Sequence, residues 1–321
     1  MGPGLAAATI EQLGGTATLD REGPEGSVVE VSLDGTATTD ADLAHLPEFK
    51  DLRTLDLSGT PITDRGLETV GELLHLQSLL LNATSITGAG LVHLKPLAQL
   101  RRLSLDFIDL SQGGTEHLAN FQNLVVLSLH VTGMTDAGLA NLRGLKSLEV
   151  LLLGGTDISD AGLAALDGLT NLKTLTIHMT PITGAGLVHL HKLEALEALS
   201  LGGAHILDDD LANLTGMPSL RSLQLGGGTF TGAALKNLSR FTSFESLDLS
   251  NNKVTDDDLP LLAPFTHLEM LNLNGTAVTD AGVPALQNLR SLEWLGVRGT
   301  SISQAGVAAL QEALPQAIIE S

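Results

Sequence analysis

The side chains of this chain best suited to chemistry are imidazoles and carboxylates. His130 and His178 lie 48 residues apart, and Asp106 precedes His130 by 24. Such groups can bind a divalent metal or trade protons in catalysis. Two acidic runs, Asp208-Asp209-Asp210 and Asp256-Asp257-Asp258, look at first like calcium loops, but they lack the central Gly and distal Glu of such a loop. There is no cysteine, which removes disulfides, thiolate nucleophiles and thiolate–zinc sites. Neither a GxxxxGK phosphate loop nor a GxSxG nucleophile turn occurs. A formal charge of −20 argues against nucleic acid as the main partner and against anionic membranes. No apolar run approaches the ~20 residues of a membrane span. No basic region followed by an apolar stretch opens the chain, so a cytoplasmic location is expected.

What positions these residues is a repeat. Leu52, Leu76, Leu100, Leu124, Leu148, Leu172, Leu196, Leu220, Phe244, Leu268 and Leu292 recur every 24 residues, and Val28 opens an earlier copy in the same phase. One copy runs Leu148-Glu-Val-Leu-Leu-Leu-Gly-Gly-Thr-Asp-Ile-Ser-Asp-Ala-Gly-Leu-Ala-Ala-Leu-Asp-Gly-Leu-Thr-Asn171. Positions 4 and 6 alternate like a short strand with one apolar face, as in Leu175 and Ile177. Positions 16, 19 and 22 have helical spacing, as in Leu163, Leu166 and Leu169. One strand and one helix cannot bury a core alone, but a stack of them can.

Three columns of small polar residues have local roles in this reading. Thr or Ser at position 12 stands where a helix cap belongs, and the Asp that often follows favours the positive helix end. Thr at position 9 forms a hydroxyl column that satisfies turn backbone groups, broken at Ile108, Ala204 and Gly228 and replaced by Asn252. Gly at position 15 lets the helix start lie close to the turn. Thr255 with Asp258 fits a capping box, which gives the acidic runs a structural meaning. His45, His93, His117 and His189 share position 18 and are expected on the outer surface.

The LxxLxLxGTxITDAGL outline resembles the leucine-rich repeat over about residues 28–314. It is similar to the cysteine-containing and ribonuclease-inhibitor-like subclasses, and especially to bacterial GTxVTDAGL forms. That resemblance implies an α/β solenoid, a horseshoe of twelve 24-residue units with a parallel inner sheet, outer helices and a protein-binding concave face. No F-box precedes Val28, so a ubiquitin-ligase arm is not supported. The expected organisation is an N-terminal cap over 1–27, the array over 28–314 and a C-terminal cap over 315–321. Within the caps, 5–13 reads as a helix stopped by Gly14-Gly15, Thr16–Leu19 as a strand, 20–27 as a Gly/Pro/Glu loop, Gln304–Ala313 as the last helix and Ala317–Glu320 as a covering strand.

On the sheet, positions 3, 5, 7 and 8 face solvent and are mostly small. The central repeats differ: Phe107, Val126, His130, Val131, Val150, Leu152, Thr176, His178 and Met179 make an apolar patch with two imidazoles. Patches of that kind mark partner sites. The competing reading is that Phe107 and Ile108 simply pack locally after loss of a Gly-Thr turn. His130 and His178 stand two strands apart, ~10 Å, too far for one zinc with ~2.0 Å bonds. Asp106 and His130 are neighbours and could pair. A second candidate is Met270 with Trp294 and Arg298, residue types common in binding anchors. Position 2 carries Glu149, Lys173, Glu197, Arg221 and Glu245, an alternating charge column that ends in Glu269 and Glu293. The expected function is a non-catalytic, cofactor-free, monomeric scaffold that binds a protein by apolar burial, with histidines adding hydrogen bonds and sensitivity near pH 6.5. A carbohydrate or cell-surface ligand binder is the alternative, and the scarcity of aromatics weighs against it.

Overall fold

The structure, a computed structural model, describes residues 3–20 and 27–321. The loop expected over 20–27 falls outside the described residues from 21 to 26. The chain forms two compact units, Met1–Asp157 and Ile158–Ser321.

The first unit begins with a helix, Pro3–Gln12, close to the span expected from sequence. Gly14 ends it at φ 86°, a conformation that costs glycine nothing. Strand β1 (Thr16–Leu19) then pairs antiparallel with β2 (Val28–Ser32). The strands β3 (Thr54–Asp56), β4 (Ser78–Leu80), β5 (Arg102–Ser104), β6 (Val126–Ser128) and β7 (Val150–Leu152) follow in parallel. Each pairs in a register of one repeat, so Leu55 faces Leu79 and Leu127 faces Leu151.

The second unit repeats the scheme with β8 (Thr174–Thr176), β9 (Ala198–Ser200), β10 (Ser222–Gln224), β11 (Ser246–Asp248), β12 (Met270–Asn272) and β13 (Trp294–Gly296). A closing helix, Gln304–Ala313, leads to β14 (Ile318–Glu320), which adds in parallel and places Ile318 beside Trp294. Each unit is an α/β solenoid whose core is the leucine columns. In one rung Leu52, Leu55, Leu57, Ile62, Leu67, Val70 and Leu73 are all buried.

The pieces opposite the sheet differ from the run of helices that the spacing suggests. Only 64–70, 136–140, 232–238, 283–286 and 304–313 are α-helical within the rungs; 40–48, 88–94, 115–120, 162–168, 184–190, 208–213 and 256–262 are 3-10 turns. The reason is spatial. Strands repeat at ~4.8 Å, whereas packed α-helices need 8–10 Å between axes. Slimmer 3-10 pieces reduce that mismatch, and each interior α-helix has a 3-10 neighbour. Apolar spacing of three residues suits both helix types, so sequence does not separate them.

Candidate functional site

The starts of the helical pieces hold a recurring set of carboxylates. Asp40 accepts the backbone N–H (2.8 Å) and hydroxyl (2.6 Å) of Thr63 in the next rung. Asp64 does the same for Thr87, Asp160 for Thr183, Asp208 for Thr231, Asp256 for Thr279 and Asp280 for Ser303. The position-13 Asp therefore caps the following rung, a partner that sequence reading assigns instead to its own helix end. The position-15 Gly makes room for it: a Cβ on Gly66, Gly90 or Gly186 would stand 2.3–2.5 Å from the Asp40, Asp64 or Asp160 carboxylate.

Where the acidic runs occur, the arrangement is inverted. Gly184 and Gly232 occupy position 13, and the carboxylates of Asp210 and Asp258, at position 15 of the next rung, fill the vacated space. Asp258 accepts the Thr255 N–H at 2.9 Å, and Asp210 accepts the Leu207 N–H at 2.8 Å. Each of these junctions thus holds one carboxylate, supplied by either rung. The acidic runs are a capping device, as the Thr255–Asp258 spacing suggests. Hydrogen bonds from Ser303, first its hydroxyl and then its N–H, hold the Asp280 carboxyl below its ordinary value. The Thr39 N–H and then its hydroxyl act alike on Asp42.

The turn after the strand is built differently. The position-9 hydroxyls of Thr60, Thr132, Thr156, Thr180 and Thr276 are buried and donate to the position-6 carbonyl three residues back, at 2.6–2.9 Å. That is the hydroxyl column expected from sequence. Asn252 donates to Leu249 and also to Leu225, the carbonyl that Gly228 cannot reach for want of a side chain.

Position 8 has positive φ throughout, and most rungs put Gly there, as at Gly59 (φ 66°) and Gly275 (φ 67°). Phe107 (φ 62°), Val131 (φ 53°) and Met179 (φ 53°) adopt the same left-handed conformation. It costs a side-chain-bearing residue roughly 1–2 kcal/mol, and it is most unfavourable for a β-branched one. These three are 63%, 51% and 70% exposed, so burial does not offset the strain. Ile108 is 1% exposed; the two neighbours part company, and Phe107 does not pack locally. A Cβ on Gly155 would stand 3.1 Å from Val131, and one on Gly203 3.2 Å from Met179, so each bulky side chain leans over a glycine.

In the first unit, Val126, His130, Val150 and Leu152 are half-buried around the exposed Phe107 and Val131, with Val126 beside Val150 across β6 and β7. Thr176 and His178 are half-buried at the start of the second unit's sheet, next to the exposed Met179. Asp106 meets His130 through the backbone: its carboxylate accepts the His130 N–H at 2.8 Å and the Ser128 hydroxyl at 2.6 Å. Ser200 lies 3.5 Å from the His178 ring nitrogen. Among the described residues no group of three or more His, Asp or Glu side chains could hold a metal ion.

The second candidate is less open. Met270 and Trp294 are register neighbours on β12 and β13, and Met270 is 49% exposed. The Trp294 ring lies over Gly296, and Arg298 is engaged with Glu320 at 2.8 Å. Of the charge column, Arg221 and Glu245 form an ion pair at 2.5 Å, both well exposed. His45 and His117 are half-buried, within 3.7 Å of Glu48 and 3.6 Å of Glu116.

Sequence reasoning missed two features. Arg240 reaches back to the Leu211 carbonyl (3.1 Å) and to that of Leu214, and it lies over the Phe241 ring; burial lowers its pKa. The other is a groove of about 820 Å³ bordered by Met179 and Asn251 in the second unit. Its signal was present as Gly202-Gly203 and Gly226-Gly227 in consecutive rungs.

A family model for the leucine-rich repeat region matches residues 32–308. No match was found among curated proteins. Among solved structures, the chain is similar to the internalin InlF of Listeria monocytogenes, at 20% identity and TM-score 0.62 over 99% of this chain and 94% of that one. A leucine-rich repeat protein of Leptospira interrogans matches at 19% identity and TM-score 0.51, covering 86% and 80%. The mouse RP105/MD-1 complex contains a chain matching at 21% identity and TM-score 0.60, covering 84% of this chain and 46% of that one. At these identities the likeness is one of fold. No helix among the described residues is long and apolar enough to cross a membrane.

Proposed function

The chain belongs to the leucine-rich repeat family, and from that premise we propose that it is a non-catalytic scaffold that binds a protein partner on the solvent face of its sheet. Family membership supports the class, and a chain similar in fold occurs in the mouse RP105/MD-1 complex. The single observation that supports the location is the left-handed strain at Phe107, Val131 and Met179. Glycine would relieve it at each site, yet exposed apolar residues stand there. Strain kept without burial is characteristic of residues held for contact with another molecule. Within the first unit Val126, Val150 and Leu152 add apolar surface on the strands that bear Phe107 and Val131 or neighbour them. Chemistry on the chain is not part of this reading: the acidic runs act as caps, and no group of three or more His, Asp or Glu among the described residues could hold a metal ion.

The test is affinity capture from a source lysate followed by mass spectrometry, with wild type beside a Val150→Glu/Leu152→Glu variant and a Phe107→Gly/Val131→Gly variant. A protein held by wild type and lost by both variants supports the reading. Equal capture by all three moves the site elsewhere and overturns it.

A further inference from the structure

In four successive rungs of the second unit, positions 7 and 8 read His178-Met179, Gly202-Gly203, Gly226-Gly227 and Ser250-Asn251. The two middle pairs bear no side chains, and the groove of about 820 Å³ opens there over Ser200, Gln224 and Asp248. Three further observations say what it would hold. Ser250 is 8% exposed, and its hydroxyl makes no hydrogen bond among the described residues. That hydroxyl stands 2.7 Å from the point where a Cβ on Gly226 would be, so it is aimed into the vacant space. Asp248 accepts the Ser250 N–H through Oδ1 at 2.8 Å, and its Oδ2 lies 3.0 Å from the same point. The backbone also opens here. In the second unit the position-8 N–H groups of Met179, Gly227, Asn251 and Gly275 bond the next rung's position-7 carbonyl, as Met179 does with Gly202 (2.8 Å) and Gly227 with Ser250 (2.9 Å), whereas Gly203 makes no such bond to Gly226.

The groove therefore gathers acceptors, Asp248 Oδ2, the Gly226 carbonyl and Ser250 Oγ, with the Gln224 amide in its lining. The same groove is lined by the exposed Met179, with His178 and His205. A ligand that fits has several donors in one plane, a positive charge and an apolar stem. We propose that this groove is a subsite for an arginine side chain of the polypeptide bound on the sheet face. The guanidinium lies over the glycine peptides, donates to Asp248 and its neighbouring acceptors, and packs its methylenes on Met179. Arginine is favoured over lysine because five donors in a planar fork match spread acceptors, whereas an ammonium concentrates its charge at one point. The chain's charge of −20 draws such a partner in. The assignment rests on the reading that a protein docks on this face.

The probe is N-acetyl-arginine N-methylamide, titrated into the full chain labelled at its methionine methyls and followed by NMR, with Met179→Leu assigning the signal. The Met179 methyl is expected to shift saturably, and the uncharged citrulline counterpart is expected to leave it in place. Asp248→Asn should weaken binding about tenfold or more, the range for a hydrogen bond to a charged group. Gly226→Ala fills the space beside Ser250 Oγ with the charge intact and should weaken it as well; unchanged melting temperatures show that both variants fold. Asp257→Asn removes an equal charge at the start of a helical piece and should have no effect. No saturation, an equal response to the lysine counterpart, or equal weakening by Asp257→Asn overturns the proposal. The probe reads the subsite without any partner. Arginine binding with no protein captured sinks the scaffold reading alone, and capture without arginine binding sinks the subsite alone.

Discussion

At the start of the helical pieces many of the residues that look reactive are committed to caps. Asp160 holds Thr183, Asp256 holds Thr279, and the acidic runs share their carboxylates between adjacent rungs. At the turn after the strand the opposite holds. Phe107, Val131 and Met179 offer no reactive group, yet they occupy backbone positions that glycine would occupy at no cost. Polar groups that satisfy one another's hydrogen bonds report on the scaffold, whatever chemistry their types suggest. Apolar groups that violate the local backbone rule report on what the scaffold presents.

The largest effect that would break this contrast lies at the first corner. Gly186→Asp puts a second carboxylate into the space held by Asp160, whose oxygen stands 2.4 Å from a Cβ there. Overpacking and like-charge repulsion should together cost roughly 2–4 kcal/mol in chemical denaturation. Adding Asp160→Gly recreates the Gly184/Asp210 arrangement one rung earlier and should recover most of the loss. A double variant no more stable than the single one would show that the carboxylate space is not interchangeable.

A smaller effect, of opposite sign, is expected at the second corner. Val131→Gly relieves a β-branched residue from φ 53° and removes a side chain that is 51% exposed. Stability should rise by about 1 kcal/mol while partner capture falls. Loss of stability in thermal melts would mean that Val131 serves the fold, and the contrast between the corners would dissolve.

Much of this was legible before any coordinates. Buried Leu columns impose a period that cannot slip, because each of these residues must meet its counterpart one rung away, as Leu199 meets Leu223. The Thr column was readable because a buried hydroxyl needs a partner, and the carbonyl three residues back is the near one. The exchange between Asp at 13 and Gly at 15 was written in Gly184 with Asp210 and Gly232 with Asp258, but it shows only when positions one rung apart are compared. The patch residues could be picked out by type; their conformation could not. Deviation from Gly at position 8 signals strain only once φ is known to be positive in all rungs. The missing Gly203–Gly226 bond has no sequence signature, since a Gly-Gly pair is compatible with either backbone arrangement.

The smallest expected effect concerns pH. Asp280 is held below its ordinary carboxylate value of 3.8 by the Ser303 hydroxyl and N–H. An acid whose pKa is lower folded than unfolded binds fewer protons in the native state, so its contribution is complete above the unfolded value and disappears as pH falls through the folded one. Melting temperature should thus decline as pH drops below about 4, and Asp280→Asn should flatten part of that decline while leaving the neutral plateau lower. The carboxylate is open to water, so the change from this one residue is small, and its sign is the informative part. A variant with an unchanged acid limb would show that the cap at Ser303 does not couple to folding. One whose stability rose at neutral pH would show that the carboxylates at this corner are tolerated rather than required, which is the property reserved here for the strained residues of the other corner.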